Sequence, residues 1–233
     1  MKHLHHIFVS LIITASLAGC DTSTERVEHK SAFILVNDDS GVLTEAPRAQ
    51  GLKLLLLGQL KALYKHHRLA KAKLQIISTS FGRPVWVGSI TDLKSKRAAD
   101  IVTRIENNAS NCNRLSESFN AVRTSIRQLE QQGYTDIRIY YFSSMISTPS
   151  VCDSDVKITL PQLPVPVDFA HALTFSDAVS TIGFYYVNPH QFRRYQEALQ
   201  PVASWANANG KTFGIFDMED TEYQLRRGLL GVK

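Results

Sequence analysis

The chain has few cysteines and lacks the short motifs of the common enzyme classes. Three cysteines in 233 residues are too few for a disulfide scaffold. None of them is spaced as Cys-x-x-Cys, which excludes the usual structural zinc sites. No Gly-x-Ser-x-Gly, Walker or Gly-x-Gly-x-x-Gly sequence occurs, which excludes the commonest hydrolases, NTPases and dinucleotide-binding proteins. No run of lysine and arginine is interleaved with aromatic residues, which argues against nucleic-acid binding.

The composition is that of a globular protein. Apolar residues make up 44% of the chain and charged residues 20%, with a formal net charge of +5. A chain of this size and composition can bury one sizeable core without help from metals. Its only long uncharged apolar stretch, residues 7–17, is too short to span a bilayer, which needs about twenty residues.

The first twenty residues have the parts of an export signal in order. A basic start at Lys2 precedes the apolar stretch, and Leu17-Ala18-Gly19-Cys20 follows it. This tetrapeptide resembles the lipobox of bacterial lipoproteins. The resemblance implies that residues 1–19 are removed and that Cys20 carries acyl chains, such as palmitate, that anchor the protein in a lipid bilayer. The alternative is a cleaved secretory signal with an accidental cysteine.

The lipobox also implies a location and a domain plan. The protein would face the periplasm of the bacterial cell envelope, and Asp21 resembles the signal for retention in the inner membrane. Residues 20–30 are polar and predict a lipidated tether. We expect one folded domain over residues 31–220 and a C-terminal tail over residues 221–233.

The hydrophobic pattern of the domain predicts an α/β fold with a mostly parallel sheet. We predict six strands, at Ala32–Asn37, Lys73–Thr79, Val85–Ser89, Asp136–Ser143, Thr181–Val187 and Lys211–Asp217. Helices are predicted at Glu45–His67, Lys96–Asn108, Ser116–Gln132 and Pro189–Asn209. Because only residues 80–84 link the second and third strands, the third strand must be antiparallel and at the sheet edge. The expected architecture is doubly wound and Rossmann-type, with six strands and helices on both faces.

This order of elements resembles the von Willebrand factor type A domain over residues 31–220. In that family, the first strand runs into Asp-x-Ser-x-Ser, a threonine loop precedes a later helix, and an aspartate follows the fourth strand. These groups hold Mg²⁺ at the carboxyl ends of the strands.

The present chain matches this motif in part. Asp38 and Ser40 occupy the first two positions, but Val42 replaces the final serine. Ser116 stands in the position of the threonine, and Ser143-Ser144 replaces the aspartate. The resemblance therefore implies a degenerate Mg²⁺ site at Asp38, Ser40 and Ser116. The alternative is that Asp38 caps a turn and the two serines bond backbone groups near helix starts.

The resemblance also suggests what the protein does. We expect a domain that is not an enzyme and that binds a protein partner, as a scaffold or assembly factor of an envelope complex. The loops expected to contact the partner contain Asp39, Gly41, Ser118, Ser144 and Asp153. The alternative is a metal-assisted hydrolase that uses Asp38 with the loop aspartates.

The two remaining cysteines are expected to lie at the same end of the sheet. Cys112 precedes the helix of Ser116, and Cys152 follows the fourth strand. An oxidising periplasm would allow them to form a disulfide bond. Two separate buried thiols are the alternative.

Overall fold

The computed structural model describes residues 29–41, 45–95, 97–106, 112–147 and 176–232. The strands are β1 (Lys30–Asn37), β2 (Lys73–Ser78), β3 (Arg83–Ser89), β4 (Tyr134–Phe142), β5 (Val179–Val187) and β6 (Thr212–Asp217). The helices are α1 (Ala46–Ala62), α2 (Ala98–Ile105), α3 (Leu115–Gln131), α4 (Pro189–Ala198), α5 (Gln200–Ala208) and α6 (Met218–Arg227). Two 3₁₀ turns, Leu63–Lys65 and Ile90–Lys94, lie near the end of α1 and after β3.

The six strands form one sheet in the order β3-β2-β1-β4-β5-β6. All neighbouring strands are parallel except β2 and β3, which pair in antiparallel register with Ile76 opposite Trp86. The predicted fold class is confirmed, including the antiparallel edge strand. The strand order reverses between β1 and β4, and this reversal point is where open α/β sheets place their ligands.

Both faces of the sheet are covered by helices. In β1, Phe33 and Leu35 pack into the core layer beneath α1, α2 and α6, whereas Ala32, Ile34 and Val36 pack into the layer beneath α3, α4 and α5. This two-sided burial explains why β1 is a continuous apolar run rather than an alternating one. The covering helices are amphipathic: α3, for example, buries Leu115, Phe119, Val122, Ile126 and Leu129 at spacings of three and four residues.

The helix predicted over residues 189–209 is two helices. α4 ends at Ala198 and α5 begins at Gln200. Pro201 lies at the start of α5, where its missing N–H cannot bond the carbonyl four residues earlier. The first turn of a helix tolerates proline, so the chain begins a new helix there instead of continuing the old one.

The predicted boundary at residue 220 is wrong, because the segment 221–233 is not a tail. α6 spans this boundary, and the Asp217 carboxylate caps it by accepting bonds from the N–H groups of Glu219 and Asp220, both at 2.9 Å. Leu225 and Leu229 are buried in the core beneath α1. The folded domain therefore extends to the end of the described chain.

Most predictions for the amino-terminal segment concern residues that the structure does not describe. The signal peptide, Cys20 and Asp21 lie outside the described residues, as does the tether before residue 29. Where the chain is described, none of the helices combines the length and apolar character needed to cross a membrane.

Candidate functional site

Polar side chains cluster at the carboxyl ends of β1, β2 and β4. Asp38 directly follows β1, and its backbone N–H donates to the carbonyl of Phe142 at 2.8 Å. Its carboxylate is fully buried. One oxygen, Oδ1, accepts bonds from the Ser40 hydroxyl, from the Ser40 N–H at 3.2 Å and from the Thr79 hydroxyl at 3.4 Å.

The second oxygen of Asp38 is bonded from the other side of the reversal point. Oδ2 accepts bonds from Asn113 Nδ2 at 2.8 Å and from Ser143 Oγ at 2.9 Å. The hydroxyl and the N–H of Ser144 also donate to it, at 3.2 and 3.3 Å. The carboxylate thus links the ends of three strands to the segment before α3. These hydrogen bonds offset the free-energy cost of burying a carboxylate.

Asp39 makes a separate set of bonds toward β2. The Ser78 hydroxyl lies 2.8 and 2.7 Å from its two oxygens, and the N–H of Ser80 donates to Oδ1 at 3.1 Å. Asp39 is 4% exposed, so its carboxylate faces inward. It fixes the end of β1 to the turn between β2 and β3.

Lys53 reaches the same cluster from α1. Its side chain is buried, and Nζ donates to the carbonyl of Asp38 and, at 3.2 Å, to the carbonyl of Ile105 at the end of α2. The ammonium also lies 5.8 Å from the centre of the Phe142 ring. Lys53 therefore joins α1, α2 and the end of β1.

Burial acts on both charges of the cluster. Desolvation raises the pKa of Asp38 above its ordinary value, although hydrogen bonds from Ser40 and the charge of Lys53 oppose the rise. Desolvation lowers the pKa of Lys53 from 10.5 to about 8, opposed by the charges of Asp38 and Asp39. In both groups, desolvation favours the neutral form, and hydrogen bonds and nearby opposite charges offset this effect in part.

The turn between β2 and β3 is attached to the segment before α3. The Ser80 hydroxyl donates to the carbonyl of Cys112 at 3.0 Å, and the N–H of Arg114 donates to the carbonyl of Thr79 at 2.9 Å. Gly82, at φ 59°, packs so closely on α3 that a Cβ there would lie 2.5 Å from the Cβ of Glu117. These contacts hold Phe81 at the carboxyl edge of the sheet, with 56% of its surface exposed. We call the exposed part of this edge, which contains Gly41 and Phe81, the rim.

The predicted metal ligands are only partly brought together. Asp38 and Ser40 are adjacent and bonded, but Ser116 is exposed in the first turn of α3 and is not among the donors to Asp38. Asn113 takes that place instead. The chain therefore reaches Asp38 three residues earlier than the resemblance implied.

These residues do not fit Mg²⁺ as they are arranged. Mg²⁺ needs oxygen lone pairs directed at the ion in near-octahedral geometry. Both oxygens of Asp38 already accept bonds from protein donors, and the ammonium of Lys53 lies against the carbonyl of the same residue. No group of three or more His, Cys, Asp or Glu side chains suited to a metal occurs in the described ranges. The same bonds leave neither oxygen of Asp38 free to act as a general base.

The residues expected to contact a partner divide into two groups. Gly41 is exposed at the rim, but Asp39 and Ser144 are buried within the cluster. Ser118 is also buried, because it lies inside α3 and its hydroxyl donates to the carbonyl of Leu115 at 2.7 Å. Asp153 lies outside the described residues. The three buried side chains are therefore structural, and the prediction that they face a partner is wrong.

The cysteine pairing stays a prediction. Cys112 is buried at the start of the segment before α3. Cys152 lies outside the described residues.

Several residues of the cluster were not identified from the sequence. Lys53 carried a usable signal: it falls on the buried stripe of α1, four residues after Ala49 and three before Leu56. A lysine in that register must find acceptors inside the protein. Asn113 and Thr79 carried no comparable signal, because isolated Asn and Thr residues are common in loops.

Comparisons with known proteins do not assign this chain to a family. No family profile matches the chain, and no curated protein matches it. Among solved structures, it is similar to the human COPII-coat protein Sec24c, with 12% sequence identity and a TM-score of 0.43. The match covers 88% of this chain and 32% of the Sec24c chain, so the present chain spans about a third of that protein. The fold is compatible with a von Willebrand factor type A-like domain. A likeness this weak supports no inference about ligands or partners.

Proposed function

We propose that this chain is a bacterial lipoprotein whose type A-like domain binds a protein partner at the carboxyl edge of its sheet. Acyl chains on Cys20 would hold it to the membrane, with the domain in the periplasm and Asp21 favouring the inner membrane. It would act as a scaffold or assembly factor of an envelope complex rather than as an enzyme.

The observation that carries the binding role is the exposure of Phe81 at a rim built on a buried polar cluster. Large exposed aromatic side chains are enriched at protein interfaces and often anchor them. The carboxylates of Asp38 and Asp39 fix the backbone on either side of this rim. A rim held in one conformation loses little entropy when it binds. Arg83, whose guanidinium lies 5.8 Å from the Phe81 ring, adds a positive charge beside the aromatic.

The anchor is supported by the lipobox alone. One acyl chain gives marginal membrane binding, whereas two or three give stable attachment, since each buried CH₂ contributes about 0.8 kcal/mol. Replacement of the acylated thiol, Cys20→Ser, is therefore expected to move the protein from the membrane fraction to the soluble periplasmic fraction or to leave it as an unprocessed precursor. Mass spectrometry of the amino-terminal peptide measures the acylation directly. A Cys20→Ser protein that is processed and fractionates like the wild type would contradict the anchor.

The binding surface can be tested by site-specific crosslinking in intact cells. A photoreactive phenylalanine analogue placed at position 81 is expected to give a discrete crosslinked product that mass spectrometry can identify. The matched control is position 223, because Tyr223 is exposed to a similar extent, 63% against 56%, on α6. Identical products from both positions, or none from position 81, would contradict the proposed surface.

A further inference from the structure

One end of the domain carries basic residues that the proposed function does not use. No aspartate or glutamate occurs in residues 46–91, which contain eight lysines and arginines. Most of these cations lie at the amino edge of the sheet, around the two 3₁₀ turns and the loop that leads into β2. We call the basic end the five of these cations at this edge, Lys61, Lys65, Arg68, Lys71 and Lys73, together with Lys94 in the second 3₁₀ turn.

The charges of the basic end are available to solvent. Lys61, Lys65, Arg68 and Lys71 are exposed, and none forms an ion pair with another described residue. Free exposed cations of this kind attract an opposing charged surface. The other two cations are held in place: Lys73 donates to the Gln132 side chain at 2.7 Å, and the Lys94 ammonium lies 3.6 Å from the centre of the Tyr64 ring.

Of the acidic groups described near this edge, Asp100 is exposed in the first turn of α2, and the others are bonded or lie on the far side. Asp92 accepts from the N–H of Ser89 at 2.8 Å as part of a capping box, and Asp136 pairs with Arg138 at 3.0 Å. Glu130 and Asp177 are exposed toward β5, on the other half of the edge. The positive charge is therefore concentrated on the side of β1 and β2.

The basic end borders the point where the chain enters the domain. Lys73 lies beside Ala32 in the pairing of β1 with β2, two residues after β1 begins at Lys30. The N–H of Ile90 donates to the carbonyl of Ala72 at 3.0 Å, which places the second 3₁₀ turn at the same edge. Cys20 is ten residues before Lys30. A segment of that length spans at most about 35 Å, so an acyl group on Cys20 keeps this edge close to the bilayer.

We propose that the basic end docks on the surface of an anionic bilayer, with phospholipid headgroups such as phosphatidylglycerol as its ligands. The proposal rests on the lipid anchor proposed above, which brings this edge to the membrane. Each lysine or arginine held at an anionic surface strengthens binding about fivefold, and the attraction falls off within a Debye length of about 10 Å. Docking in this orientation points the opposite edge, with Phe81, away from the membrane and toward a periplasmic partner.

Vesicle sedimentation tests the docking separately from the anchor. The full chain with Cys20→Ser carries no lipid, so its binding reports the protein surface alone. We expect it to sediment with phosphatidylcholine vesicles that contain about one third phosphatidylglycerol, and to be released when salt is raised from about 0.1 M to about 0.5 M. Pure phosphatidylcholine vesicles are the reference for any binding through the uncleaved apolar segment.

A charge-reversal variant and a matched control locate the surface. Lys61→Glu, Lys65→Glu and Arg68→Glu together are expected to weaken binding to the anionic vesicles at least about tenfold. The control reverses three exposed arginines elsewhere, Arg104→Glu, Arg123→Glu and Arg193→Glu, and changes the net charge by the same amount. It is expected to bind nearly as well as the parent.

Three outcomes would overturn the proposal. These are equal sedimentation with neutral and anionic vesicles, binding that does not respond to salt, and an equal loss of binding in both variants. The first two are measured on the chain with native charges, so they stand even if a triple variant fails to fold. Failure here would leave the acylation of Cys20 untouched, because that is measured on the lipidated protein.

Discussion

Replacing the buried lysine of the cluster, Lys53→Met, should change how the stability of the protein depends on pH. Methionine has a similar length and no charge, so the substitution keeps most of the packing of α1 and removes the ammonium. The unfolded chain holds lysine at its ordinary pKa of 10.5, whereas burial lowers the pKa in the folded protein to about 8. The folded protein therefore releases this proton at lower pH than the unfolded chain does.

The sign follows from proton binding. Between the two pKa values of Lys53, the unfolded state binds more protons, so the free energy of unfolding rises with pH in that window. From about pH 7.5 to about pH 9.5, this lysine alone adds about 2 kcal/mol to the free energy of unfolding. The contribution disappears as the pH falls below the folded pKa, where both states hold the proton.

Buried tyrosines act in the opposite direction at higher pH. Burial raises the pKa of Tyr140, Tyr141, Tyr185 and Tyr195 above the ordinary value of 10. The unfolded chain loses these protons first, so ionisation of tyrosine destabilises the fold as the pH passes about 10. Both proteins share this loss, and the difference between the wild type and Lys53→Met therefore isolates the lysine.

Urea unfolding of the wild type and of Lys53→Met over this pH range measures the effect. The free energy of unfolding of the wild type, relative to that of the variant, should rise by about 2 kcal/mol between about pH 7.5 and about pH 9.5. Parallel pH profiles for the two proteins would show that Lys53 titrates in the folded state as it does in the unfolded chain. In that case, the description of Lys53 as a desolvated ammonium held by two carbonyls would be refuted.

Three further predictions concern the rim, the last helix and the metal. Gly82→Ala should lower the free energy of unfolding about 1–2 kcal/mol more than Gly133→Ala, measured by urea unfolding; both glycines have positive φ, but only at Gly82 does an added Cβ meet a neighbour. Leu225→Ala should cost about 2–5 kcal/mol in the same assay, and the exposed control Tyr223→Ala less than about 0.5 kcal/mol; equal small losses would contradict the docking of α6. Mg²⁺ at about 5 mM should leave the melting temperature unchanged, whereas a site with a Kd of about 50 µM would add about 2.7 kcal/mol and raise it by several degrees.

The fold could be predicted because its signals are local. The continuous apolar run from Ala32 to Val36 indicates a strand buried on both faces, and the five residues between the second and third strands allow only a hairpin. The two errors in the predicted elements, the single helix over residues 189–209 and the carboxyl-terminal tail, also have local causes. Pro201 interrupts the helix directly, which the overall hydrophobic period of residues 189–209 concealed. The amino-terminal cap of α6, Asp217, lies in an acidic sequence that resembles a surface loop.

For the site, the sequence predicts only which residues directly follow a buried strand and so lie at a strand end. That Asp38 would lie at the carboxyl end of β1 follows from its place after a buried strand. Its neighbour Ser40 was identified, but further donors come from Thr79, Asn113 and Ser143, which are 41, 75 and 105 residues away. No local pattern ties such residues together, because their contact depends on the register of three strands. Burial of the carboxylate likewise depends on this packing and is not visible in the sequence.

The donors around Asp38 explain why an acidic residue in this position need not bind a metal. A carboxylate buried at the end of a strand must be neutralised by a cation or bonded by several donors. A second carboxylate after β4 would repel Asp38 and so favour a cation between the two charges. Here Ser143 and Ser144 stand after β4, and their hydroxyls donate to Asp38 instead. The two serines after β4 thus supply hydrogen bonds that offset the burial of the Asp38 carboxylate, in a position where a second carboxylate would instead have favoured a cation.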